Sequence, residues 1–387
     1  PRGFWKPRRP VGFPHRSRKN SLKILFFIHG MTAGGAERQA SLLCNYWARS
    51  GREVVLATLF DAPSHYELDE VIVRRTIRTR HTPGIRNHLR DLKSMRRLIA
   101  EERPNVVLAF LDAMNVKVLS AARNSGIPVV ISERLFPASV FNIYSLQYSL
   151  PLAMLRRLLY PSCAALVVQT DRIERWARER RLSRNIAVIP NVVSNDIEGT
   201  NVRPVQRDPL LLSVGRLSQQ KGHDILIRAF ASVADKFPEW RLRIIGEGGL
   251  RPQLSVLIRS LGLEHRAELA PVKGSVAQDY RSAALFILPS RFEGFPNALV
   301  EAMQAGCAVV AADCPTGPRQ IISDGVNGVL FRNEDVGELV SKLTMLMQHR
   351  VQRASLGERA RDSVKKYDPQ IIFPMWDRLL DGVLNAS

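Results

Sequence analysis

The sequence predicts an α/β protein of two parallel-sheet, Rossmann-like domains, and three observations predict it. The chain has 387 residues, too many for one core of ordinary size. From residue 23 onward, short apolar runs of strand length alternate with helical patterns, the rhythm of βαβ units with right-handed crossovers. That rhythm fails once, over residues 193–209, which are polar, carry two prolines and read as a linker. The expected division is a basic disordered arm at 1–20, a first domain at 21–192, the linker, a second domain at 210–366 and a closing helix at 367–387.

Composition narrows the partners. Apolar residues make up 45% of the chain, enough to build cores, while the net charge is +20. Residues 1–200 hold 32 Lys or Arg against 16 Asp or Glu, and the remainder holds 24 against 20. Most of the excess therefore lies in the first half, a field that attracts nucleic acid, anionic lipid or pyrophosphate-bearing substrates without choosing among them. Cys44, Cys163, Cys307 and Cys314 show no paired spacing and read as small buried thiols of a reducing cytosol. No run of eighteen apolar residues occurs, and the first twenty residues lack the apolar centre of a secretory signal.

The arm carries seven basic residues, no acidic ones, and Phe4, Trp5 and Phe13. It is either a solvated tail or a contact for anionic lipid. A strand at 23–28 leads through His29 to Gly34-Gly35 and a helix to about Arg49. Glycine at such a crossing lets backbone approach a phosphate, although tight turns explain most Gly-Gly pairs. The dinucleotide fingerprint G-x-G-x-x-G is missing, which argues against a dehydrogenase.

Further strands are expected at 54–59, 71–77, 106–111, 129–132, 164–169 and 186–191, with helices near 87–102 and 115–124. Residues 74–97 hold nine Arg or Lys and residues 172–184 six Arg. These are solvated faces or, for a membrane-anchored acceptor, lipid contacts. Residues 149–160 are apolar around Arg156 and Arg157; a core-facing helix is the first reading and a membrane-surface element the second.

The second domain opens with a strand ending at Gly215, a loop presenting Arg216 and Lys221, and a helix after Gly222. Two cations in one loop after a parallel strand suit a diphosphate, though singly they would be ordinary surface residues. Strands at 241–246 and 267–272 follow, ending at Gly246 and Val272. The apolar run 285–288 then leads into Pro289-Ser-Arg-Phe-Glu-Gly-Phe-Pro-Asn-Ala-Leu-Val-Glu-Ala-Met-Gln-Ala-Gly306. Pro296 opens a helical pattern that Gly306 closes. The free N–H groups of Asn297, Ala298 and Leu299 favour an anion there. Glu293 and Glu301 flank that point, eight residues apart. Carboxylates at contact distance would repel a phosphate, so they suit neutral hydroxyls of a ribose or hexose.

With Glu293-x7-Glu301, Gly-Arg-Leu at 215–217, Lys-Gly at 221–222 and Gly-Gly-Ala-Glu at 34–37, the chain resembles glycosyltransferase family 4 over roughly residues 22–385. The resemblance implies a retaining enzyme of the GT-B fold, with two Rossmann-like domains facing across a cleft and the last helix crossing back to the first. It implies transfer of a hexose or N-acetylhexosamine from a nucleoside diphosphate sugar, expected to be UDP-linked, to a glycan or polyprenyl-pyrophosphate-linked acceptor.

Catalysis then falls to Glu293, Arg216 and Lys221, with Glu293 on the donor sugar and the two cations on the departing diphosphate. Donor binding falls to Gly34, Gly35, Gly246, Val272, Asn297, Ala298, Leu299 and Glu301, the last on the ribose. No Asp-x-Asp appears, and neither metal nor cofactor is expected. Many members carry a His near residue 133. Here Glu133 and Arg134 stand instead, so that role does not transfer: Glu133 replaces it on the acceptor side or pairs with Arg134. The expected location is cytoplasmic, peripheral on the inner membrane face. The rivals are a GT-B sugar-nucleotide epimerase and a basic nucleic-acid-binding protein; against the latter, no motif of that kind occurs.

Overall fold

The computed structural model describes residues 22–32, 34–78, 85–137, 146–193, 207–272 and 275–386. The basic arm and most of the linker lie outside them. Two parallel sheets organise the chain. The first runs β3-β2-β1-β4-β5-β6-β7, from strands β1 (Lys23–Ile28), β2 (Glu53–Phe60), β3 (Val73–Arg78), β4 (Val106–Phe110), β5 (Val129–Ser132), β6 (Ala165–Val168) and β7 (Ile186–Val188). Its helices include α1 (Gly35–Arg49), α2 (Ile85–Glu102), α3 (Asp112–Ala122), α4 (Leu146–Leu159) and α5 (Asp171–Glu179). The Thr170 hydroxyl caps α5 by accepting from the Ile173 N–H.

The second sheet runs β10-β9-β8-β11-β12-β13, all neighbours parallel, from β8 (Asp208–Val214), β9 (Arg241–Ile245), β10 (Ala267–Ala270), β11 (Ala283–Leu288), β12 (Ala308–Asp313) and β13 (Val329–Arg332). Around it lie α6 (His223–Ala234), α7 (Arg251–Ser260), α8 (Ala277–Ser282), α9 (Asn297–Gln304), α10 (Pro318–Ile321), α11 (Val336–Gln348), α12 (Arg350–Ser363) and α13 (Pro369–Asn385). Leu285 and Ile287 of β11 pack with α6, α7 and α11, while Phe286 and Leu288 pack with α8, α9 and α12. Burial on both faces is why this strand reads as an unbroken apolar run.

In this order the chain reverses direction of growth between β8 and β11, the two central strands. Ligands of open α/β sheets bind outside the carboxyl ends of strands at such a switch point. The loops after β8 and β11 are those that carry Arg216, Lys221 and Glu293.

Contacts cluster into two compact units. One comprises Pro1–Ser132, Leu158–Ala165 and Leu380–Ser387, the other Glu133–Arg157 and Leu166–Leu379. The first sheet ends at β7 and the second begins at β8, and the second compact unit includes, besides the second sheet, residues 133–157 and the stretch from Leu166 that carries most of β6 and all of β7.

One element departs from its first reading. Helix α4 is not core-facing: Ser149 and Arg156 are buried, while Leu146, Tyr148, Leu150, Met154, Leu155 and Leu158 are exposed. Arg156 decides the rotation. Its Nε lies 3.3 Å from a Glu133 carboxylate oxygen, and its Nη1 donates to the Pro137 carbonyl at 3.3 Å. Ser149 stands two turns away on the same stripe. The polar stripe is thereby drawn inward and the apolar one turned out.

Candidate active site

The loop after β8 is a short turn (Gln219–Lys221) closed by Gly222 at φ 64°. That left-handed conformation strains any other residue, and a Cβ at 222 would also run into the Pro289 carbonyl oxygen. Glycine here therefore lets the two switch-point loops touch. Helix α6 starts directly after it, and α9 starts at Asn297 with Pro296 as its N-cap.

The loops are joined by side chains as well. Lys221 Nζ lies 2.6 Å from Glu293 Oε1, with the carboxylate side chain only 5% exposed. Arg291 donates to both Asp224 oxygens at 2.9 and 2.7 Å, to the Gln219 carbonyl at 2.8 Å and to Glu334 at 2.8 Å. Its pKa is held above the ordinary guanidinium value, mainly by the Asp224 bonds. Burial pushes the Asp224 carboxyl up, but Arg291 outweighs it and holds the group below its usual value. Gln220 Nε2 donates to the Phe292 carbonyl at 3.1 Å. The Thr316 hydroxyl donates to the Glu293 carbonyl oxygen.

Beneath the loop, His223 is buried, with Nδ1 3.4 Å from Ser213 Oγ. Burial pushes the imidazole down to about 4, so it is neutral at physiological pH. Arg216 is exposed, and its side chain has no protein partner among the described residues.

At the start of α9 the N–H groups of Asn297 and Ala298 have no backbone acceptor among the described residues. Leu299 differs from expectation: its N–H is used on the Pro296 carbonyl at 3.0 Å. The anion-facing pair is Asn297 and Ala298. Glu301 is buried, and its Oε2 accepts from the Tyr280 hydroxyl at 3.0 Å. Gly246 directly follows β9, donating to the Ala270 carbonyl at 3.0 Å, and Val272 is exposed beyond β10. Gly34 and Gly35 stand at the start of α1 in the other unit, with the Glu37 carboxylate folded over Gly34.

Glu133 and Arg134 are both buried, and Glu133 pairs with Arg156 of α4. Arg134 donates through Nη1 to Asn191 Oδ1 at 2.7 Å and lies 5.8 Å from the Trp376 ring centroid. Burial pushes its guanidinium down to about 9, still cationic at neutral pH.

Chemically, two cations, two free helix N–H groups and a buried carboxylate converge on one sheet edge. The cations and N–H groups suit a bound diphosphate; Glu293 suits a neutral hydroxyl. Among the described residues no three His, Cys, Asp or Glu side chains group as a metal site needs. A cavity of about 270 Å³ beside Leu210, Arg241 and His265 lies at the amino ends of β8 and β9 and holds none of these residues. Arg291, Thr316, Tyr280 and Asn191 were not singled out from the sequence. Only Arg291 had a signal, a cation two residues from Glu293 inside the motif.

Two family models match the chain: "Glycosyltransferase Family 4" over residues 33–196 and "Glycosyl transferases group 1" over residues 200–363. A Campylobacter jejuni enzyme named GalNAc-alpha-(1->4)-GalNAc-alpha-(1->3)-diNAcBac-PP-undecaprenol alpha-1,4-N-acetyl-D-galactosaminyltransferase is 26% identical, over 94% of this chain and all of that one. The amylovoran biosynthesis glycosyltransferase AmsD of Erwinia amylovora is 24% identical over 93% of this chain and 99% of its own length. Among solved structures, Anabaena Alr3699/HepE in complex with UDP and glucose superposes with a TM-score of 0.77 at 20% identity, covering 93% of this chain and all of that one. The likeness shows the fold: two Rossmann-like domains of the GT-B type.

Proposed function

Because the chain belongs to glycosyltransferase family 4, we propose that it transfers a hexose or N-acetylhexosamine from a UDP-sugar, with retention, to a hydroxyl of a lipid-linked glycan in cell-surface polysaccharide synthesis. The observation that carries the donor half is the convergence of Arg216, Lys221 and the start of α9 at the switch point of the second sheet.

Departure of the glycosyl group builds negative charge on the diphosphate. Preorganised cations and N–H donors stabilise such charge more in the transition state than in the ground state. Arg216 is free to meet the diphosphate, and Lys221 reaches it from its place beside Glu293. In this reading these groups neutralise the leaving group without a metal ion. Glu293, held by Lys221 on one oxygen, accepts from donor-sugar hydroxyls. Glu301, steadied by Tyr280, accepts from the ribose. The acceptor attacks on the face the diphosphate leaves, so no covalent nucleophile is assigned.

The acceptor class rests on the names of the relatives and on surface chemistry. Helix α4 exposes six apolar side chains and Arg157, and has no acidic residue. No helix of the described residues is long and apolar enough to cross a membrane. An outward apolar stripe beside an exposed cation suits the interface of an anionic bilayer, where a polyprenyl-linked acceptor resides.

The test is direct. Incubation with a panel of nucleotide sugars and a polyprenyl-pyrophosphate glycan pool should give one mass increment, and NMR of the product an anomeric configuration matching the donor. An inverted product would overturn retention. Release of a free epimer with no acceptor present would overturn transfer.

A further inference from the structure

Arg134 and Asn297 are far apart in sequence yet lie at the two ends of a side-chain relay. Arg134 Nη1 donates to Asn191 Oδ1 at 2.7 Å, and Asn191 Nδ2 donates to Asn297 Oδ1 at 2.8 Å. The polarity of this relay is fixed at one end. A guanidinium has donors only, so the oxygen of Asn191 must face Arg134 and its NH2 must face Asn297. The oxygen of Asn297 is thereby occupied. Its NH2 has no protein partner among the described residues, and it stands on the first residue of α9, beside the free N–H groups of Asn297 and Ala298. Arg134 itself cannot swing away. It is buried, and its carbonyl oxygen is packed against Gly294 so closely that a Cβ there would collide with it.

We propose that Arg134 is a positioning residue which, through Asn191, sets the amide of Asn297 so that nitrogen rather than oxygen faces the diphosphate at the start of α9. An amide is nearly symmetric in shape, so without the relay either orientation would fit the space. The wrong one would aim a carbonyl oxygen at an anion. A buried cation thus determines the sign of a dipole at the site without touching the ligand.

The proposal rests on the donor site described above, and its test separates the two. Asn191→Asp reverses the relay. The carboxylate still accepts from Arg134 and now accepts from Asn297, which must turn its NH2 inward and its oxygen toward the site. With UDP as the probe in calorimetry, Asn191→Asp should weaken binding roughly tenfold to a hundredfold. The ion pair that Arg134 makes with the introduced carboxylate should keep the melting temperature near that of the parent. In an Asn297→Ala background the same change should alter UDP affinity by less than about twofold, because nothing remains to be turned. An equal loss in both backgrounds, or no loss in either, would overturn the relay. Asn297→Ala alone, a half-buried change at a helix start, should itself weaken UDP by roughly tenfold. Unchanged affinity there would also overturn the relay, however the Asn191 variant folds. A parent protein that binds no UDP at all would instead sink the donor-site reading.

Discussion

Lys221 Nζ stands 2.6 Å from Glu293 Oε1, so the cation expected on a diphosphate and the carboxylate expected on a sugar form a single ion pair. Each holds the other in place before any donor arrives, and each depends on the other for stability.

That dependence separates two substitutions. Glu293→Gln keeps a hydrogen-bonding oxygen near Lys221 and should change stability by less than about 1 kcal/mol. It removes the charge that sugar hydroxyls would meet, and turnover should fall by roughly a hundredfold or more. Lys221→Met leaves a buried carboxylate unpaired and should cost about 2 kcal/mol of stability as well as turnover. Thermal unfolding beside single-turnover rates checks both. A fully active Glu293→Gln would remove that residue from the site.

Arg216 contrasts with Lys221 because no side chain among the described residues pairs with it. Arg216→Ala should unfold within about 0.5 kcal/mol of the parent, while kcat falls more than UDP affinity does. A raised KM with unchanged kcat would mean that Arg216 binds only the ground-state donor.

The outward stripe of α4 gives a prediction about membranes. Met154 and Leu158 are 73% and 74% exposed, so Met154→Glu with Leu158→Glu should leave the melting temperature unchanged. The pair should reduce co-sedimentation with vesicles containing phosphatidylglycerol, and hydrolysis of soluble donor should stay as in the parent. Equal binding of parent and variant to those vesicles would assign attachment elsewhere.

His223 sets a pH dependence. Its folded value of about 4 lies below the ordinary imidazole value near 6.5. Between those values the unfolded chain binds the proton and the folded protein does not, so stability rises with pH across that window. Above it, the contribution is constant. The slope from this group is at most about 1.4 kcal/mol per pH unit. His223→Gln should flatten it in urea unfolding followed from pH 4 to pH 7. An unchanged slope would place the acid sensitivity in other groups.

The sheets were legible because buried parallel strands announce themselves as apolar runs, and 285–288 is the clearest. The loop motifs were legible because glycine and proline punctuate them. What could not be read was pairing across long separations: Asn191 with Asn297, Arg291 with Asp224, Arg156 with Glu133. Helix α4 failed for the same reason. Apolar content gave it a core-facing reading, whereas one arginine committed to a distant carboxylate set its rotation. The Leu299 N–H is not free because Pro296 is the cap and its carbonyl accepts a hydrogen bond from it.

Arg291 joins the loop after β11 to the loop after β8 through Gln219, to the start of α6 through Asp224 and to the turn after β13 through Glu334. Two loop segments are thereby ordered while the chain folds, with no ligand needed to freeze them. If the proposed diphosphate site is used, the entropy of arranging these loops falls on folding rather than on donor binding. Cutting this tie with Arg291→Met should therefore appear in calorimetry as a more unfavourable binding entropy for UDP, even where the bound contacts are the same.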